Sequence, residues 1–142
     1  MAMKTKLVPI CSAICLTCAI LAIGAASIWA PPCSGALELT NGNMVPMKCT
    51  YAAKASIVLA TLIAICSALS FAKKDMLFAV AVISLALAFI VMQLPGAIGV
   101  CKSDGMACHT TAAWFISCGG VSFVSSIVGI VLNPKRKKVK TK

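Results

Sequence analysis

The chain has 142 residues, of which 61% are hydrophobic and 11% charged, and its mean hydropathy is +1.01. A soluble domain is about 45–50% apolar and about 25% charged, so a water-soluble globule and a disordered chain are both excluded. The length suits a single domain, residues 1–142. Net charge is +10, yet eight of the 13 Lys and Arg lie in Met1–Leu7 or Asn133–Lys142. Charge at the chain ends points to lipid rather than to nucleic acid.

The first apolar stretch is Leu7–Ala30. It follows Lys4 and Lys6 like a signal peptide. Its run is too long for a cleavable segment, and a cut after Ala30 would precede Pro31, so it reads as a retained helix. Cys11, Cys15 and Cys18 share one face of it and read as small packing residues before a ladder of soft ligands. The next stretches are Tyr51–Ala72, Met76–Val100 and His109–Leu132, each of 22 residues or more. At about 1.5 Å per residue each exceeds a hydrocarbon core of about 30 Å. Inside them the formal charge is Lys54 alone, near an end where its stem can snorkel. Pro95-Gly96 is expected to bend the third helix, and Gln93, one turn deeper, to face the bundle. The fold class is therefore all-α: a polytopic membrane protein with four transmembrane helices, about 7–30, 51–72, 76–100 and 109–132.

Lys and Arg set the orientation. Ten fall on one side, at both chain ends and in Lys73-Lys74, against Lys48, Lys54 and Lys102 on the other. Both termini are expected in the cytoplasm of a multi-pass cell-membrane protein, with residues 133–142 as a basic tail. Connections 31–50 and 101–108 lie outside, near Trp29, Tyr51 and Trp114. Small residues at helical spacing mark packing seams: Ser12, Cys15, Ala19, Ala22 and Ala26; Ser56, Ala60, Ala64 and Ser67; Ala81, Ser84 and Ala88; Gly119, Ser122, Ser126 and Gly129.

The chain also repeats itself. Cys33, then Met47-Lys48-Cys49-Thr50, precedes the second helix. Cys101, then Met106-Ala107-Cys108-His109, precedes the fourth. Two helix hairpins related as a pseudo-repeat would bring these loops together. Cys33, Cys49, Cys101 and Cys108 are four cysteines on the oxidising side, so disulfides are the first reading. Three connectivities are open; Cys33–Cys49 with Cys101–Cys108 is the simplest. The competing reading is a soft-metal site. Thioether and thiolate sulfur select Cu(I) and similar ions, and Met44, Met47, Cys49, Met106, Cys108 and His109 are the candidate ligands. Cys49 and Cys108 head helices, whose N-termini favour a thiolate. A thiol–disulfide oxidoreductase comes third; the outer cysteines contain no CxxC pair. No HExxH or P-loop occurs, His109 is the one histidine, and no span holds a carboxylate or Arg for ion coupling.

These motifs carry a resemblance. Met47-Lys48-Cys49-Thr50-Tyr51, Ile98-Gly99-Val100-Cys101 and Met106-Ala107-Cys108-His109 resemble the domain-of-unknown-function 4418 family of small four-helix prokaryotic membrane proteins, over most of residues 7–132. Thr50 stands where that family usually shows a histidine; if both histidines are ligands in relatives, one is missing here. The resemblance implies an accessory membrane subunit working near ABC-type export permeases or metal-associated membrane proteins. The expected function is a non-enzymatic accessory or partner-binding subunit with an outer Cys/Met/His cap that handles a soft metal such as Cu(I). The alternatives are a membrane thiol–disulfide oxidoreductase and a purely structural disulfide-capped scaffold.

Overall fold

The computed structural model describes residues 2–33, 35–72, 76–92 and 107–132. Helix α1 spans Ala2–Gly24 and runs into a π-helical turn, Ala25–Trp29. Then come strands β1, Ala36–Glu38, and β2, Met44–Pro46, followed by α2, Lys48–Ser70; α3, Leu77–Val91; and α4, Ala107–Val131. Among the described residues, three helical segments are long and apolar enough to cross a membrane: Leu7–Trp29, Lys48–Ser70 and Ala107–Val131. The described part of the third span is shorter, 15 residues ending in an extended cap at Met92. That is about 22 Å of helix, against the 76–100 expected. Gln93, Pro95-Gly96, Lys73-Lys74-Asp75 and the tail 133–142 lie outside the described residues.

The four helices form a ring. Helix α1 packs on α2 and α4, α3 packs on α2 and α4, and α2 and α4 barely touch across the diagonal. Hydrogen bonds show that α1 and α4 are antiparallel. The Thr111 hydroxyl donates to the Ala30 carbonyl at 2.6 Å near one end, while Cys15 Sγ lies 3.5 Å from Ser126 Oγ toward the other. Ser12 and Ser70 hydroxyls meet at 2.5 Å and tie α1 to α2.

The packing follows the small-residue seams. Ser12, Cys15, Ala19, Ala22 and Ala26 are all buried, as are Ser56, Ala60, Ser67, Ala81, Ser84, Ser122 and Ser126. At Gly119 the neighbour is backbone: a Cβ there would stand 3.1 Å from the Ser84 carbonyl oxygen. Helices meet this closely in lipid because contact area, not hydrophobic drive, holds them. On α2 and α3 the seams are widened by Ile63 and Leu87, each 1% exposed, while Ala64 and Ala88 are half-buried. Large apolar side chains such as Ile20, Val58, Phe78 and Val124 point outward, where lipid tails would cover them.

The architecture is helical as expected, with one small addition. The segment after α1 folds into a two-stranded antiparallel hairpin, with Ala36 opposite Pro46, Leu37 opposite Val45 and Glu38 opposite Met44. Gly42, at φ 79°, makes the tight turn between them, and the Leu39 N–H donates to the Asn43 carbonyl at 2.9 Å. So short a pair carries little apolar alternation to read in advance.

Candidate functional site: a thiol cluster at the hairpin end

Cys49 and Cys108 are each the second residue of a helix, α2 and α4 respectively. Each therefore points from a first turn whose N–H groups have no partner within the helix. Both helices begin at the hairpin end of the bundle, so the two thiols meet there.

The third thiol arrives from α1. The π turn closes with the Ala30 N–H donating to the Ala25 carbonyl at 2.8 Å. Such a wide turn re-aims the chain beyond it. Pro31 and Pro32 then carry the chain over the ends of α2 and α4. Two threonines fix the crossing: Thr111 of α4 donates to the Ala30 carbonyl, and Thr50 of α2 donates to the Cys33 carbonyl at 3.1 Å. The Trp29 and Trp114 rings pack edge to face, with centroids 5.9 Å apart, beside this crossing.

As a result the Sγ atoms of Cys33, Cys49 and Cys108 all lie within 4.8 Å of one another. Cys49 and Cys108 are 2% exposed; Cys33 is half-buried. All three are free thiols. A small pocket opens onto the cluster, lined by Pro32, Val91, Phe115 and four small side chains besides Cys49 and Cys108. Its free space is about that of one water molecule. That is room for a bare ion.

The geometry suits a thiophilic ion. A metal–thiolate bond of about 2.3 Å places three sulfurs around one ion about 4 Å apart. The cluster therefore needs to contract by no more than about 0.8 Å. The N-termini of α2 and α4 both begin beside the cluster.

The other sequence candidates take different places. His109 is half-buried in the first turn of α4 and takes no part in the sulfur group. Met47 caps α2, and its thioether lies against Gly35. Met44 is 69% exposed on β2. Cys101 and Met106 lie outside the described residues. Sequence reasoning kept Cys33 as a disulfide candidate and left it out of the metal set. The Pro31-Pro32 step before it was the available signal that it is carried back over the helix ends.

A second set of thiols lies in the bundle interior. Cys15-Leu16-Thr17-Cys18 has CxxC spacing, but it sits mid-helix. Cys15 is fully buried against Ser122 and Ser126, and Cys18 packs beside Cys118 of α4. These are packing positions, as expected for small, weakly polar side chains.

A family model described as Domain of unknown function (DUF4418) matches residues 14–132, which include all three clustered cysteines. No curated protein and no solved structure matches the chain.

Proposed function

The chain belongs to the DUF4418 family of unknown function, an integral membrane protein by its apolar helices, and from its sulfur chemistry we propose that it is an accessory subunit that holds a soft ion. In this reading the chain crosses the bilayer four times, with both termini cytoplasmic and the β-hairpin end outside. Cys33, Cys49 and Cys108 bind one ion of the Cu(I) class as thiolates. The observation that carries this is the mutual approach of the three Sγ atoms, within 4.8 Å, from three separate segments of chain. Three thiolates favour a soft, low-coordinate ion over the hard oxygen-seeking ones. With a single histidine and three acidic residues in all, acid–base catalysis has little to work with. A role beside a membrane partner, of which an ABC-type transporter is the class the family resemblance implies, fits better than enzymatic turnover.

Thiol–disulfide chemistry is the second reading, favoured by the same closeness. Any two of the three sulfurs can pair, and a paired sulfur is no longer a metal ligand. One experiment separates the readings. Protein purified with and without oxygen is assayed for free thiols and then titrated with Cu(I). Tight stoichiometric binding by the reduced form, lost in Cys49→Ser and Cys108→Ser, supports the metal site. Absence of binding in both forms, with two thiols lost on aeration, supports the redox pair and removes the metal reading.

A further inference from the structure

The cluster is not symmetric. Cys49 and Cys108 are buried on the first turns of two packed helices, whereas Cys33 is half-buried on an irregular segment. Phe115 and Val91, 1% and 3% exposed, line the pocket beside the sulfurs. A further soft sulfur lies near the segment that carries Cys33. A Cβ at Gly35 would stand 2.8 Å from Met47 Cε and 3.5 Å from Met47 Sδ. The Met47 thioether is thus laid against the chain two residues beyond Cys33, in a space that exists because residue 35 has no side chain. Met47 is itself half-buried and stands two residues before Cys49 in the chain.

We propose that the ion enters and leaves over Met47 and Cys33, by ligand exchange with an extracytoplasmic carrier that offers thiolate or thioether sulfur. This rests on the metal-site reading above. Met47 takes the ion first, and Cys33 passes it to Cys49 and Cys108. On release the order reverses. Carrier sulfurs replace the bonds to Cys108, Cys49 and Cys33 in turn. Each freed thiolate takes up the proton that a carrier thiol gives up or one from water, the ion stays Cu(I) and no electron moves; loading runs the same exchanges backward. A half-buried outer ligand paired with two buried inner ones lets the ion be exchanged without opening the bundle.

The test uses the full chain in lipid nanodiscs, thiol-reduced and free of oxygen. In the metal-free protein a charged maleimide should modify Cys33 at least about tenfold faster than Cys49 or Cys108, since thiol reactivity follows access. In Cu(I)-loaded protein, transfer to a small cysteine peptide is followed by stopped flow. Met47→Leu should slow both loading and transfer about tenfold, within the range over which single interface changes move exchange rates. Cys66→Ser, away from the cluster on α2, should leave both as in the unaltered chain. Modification of Cys49 or Cys108 as fast as Cys33, or unchanged kinetics in Met47→Leu, overturns the route while leaving the site. Failure of the reduced chain to bind Cu(I) overturns the site and the route together.

Discussion

Hydroxyl groups decide much of this molecule at the scale of single residues. Thr111 donates to the Ala30 carbonyl at 2.6 Å and holds the start of the Pro31–Cys33 crossing against α4. Thr111→Val should cost about 0.5–1.5 kcal/mol for that bond and weaken Cu(I) binding several-fold while the free-thiol count stays the same. Unchanged affinity by competition with a chromogenic chelator would show that Thr111 does not align Cys33. The hydroxyls of Ser56, Ser67 and Ser84 are buried and make no hydrogen bond among the described residues. Their burial is a cost, so Ser84→Ala should leave thermal stability in detergent unchanged or raise it by up to about 1 kcal/mol. A fall of that size would mean that Ser84 has a partner in the membrane. Cys49 and Cys108 are legible in the sequence from their place beside helix starts and from the shared Met-x-Cys pattern. What was not legible is the grouping: Cys33 is joined to Cys49 and Cys108 by a π turn and two threonine bonds, none of which leaves a periodic trace.

The helices follow from composition, and their ends do not. Seams such as Ser12, Cys15, Ala19, Ala22 and Ala26 announce the buried face of α1 because small residues at spacings of three and four share one side of a helix. The same rule missed the larger side chains that complete the seams, Ile63 and Leu87, because apolar bulk is equally at home in lipid and in a core. Helices α2 and α4 begin earlier than hydropathy suggests, at Lys48 and Ala107. Hydropathy is blind to a polar first turn, and here those turns carry Cys49 and Cys108. The β-hairpin was missed because three-residue strands are too short to show alternation. The contact of α3 with α4 depends on Gly119, where the nearest neighbours of an added Cβ are Ser84 and Ala88. Gly119→Val should push these helices apart and cost about 1–3 kcal/mol, seen as a lower unfolding midpoint in detergent. A midpoint equal to that of the unaltered chain would show that α3 can shift without penalty.

At the scale of the whole molecule, three helices of spanning length and a shorter apolar one form a ring whose hairpin end gathers thiols from α2, α4 and the segment after α1. In the proposed topology, drawn from the Lys and Arg distribution, that end faces outside. In intact cells an impermeant maleimide should label reduced Cys33 and should not label a cysteine placed at residue 142; the reverse pattern would invert the topology. The gathering of the thiols gives the bundle its purpose in this account, because four closely packed helices are a rigid frame on which two buried sulfurs and one accessible sulfur can be held. The most direct measurement is X-ray absorption at the copper edge of anaerobically reduced, Cu(I)-titrated protein, together with its copper stoichiometry. The account predicts about one ion per chain surrounded by about three sulfurs at the metal–thiolate distance of about 2.3 Å, with both signals lost when Cys33, Cys49 and Cys108 are changed together to serine. Copper bound through nitrogen or oxygen, or bound equally well by the triple variant, would contradict it.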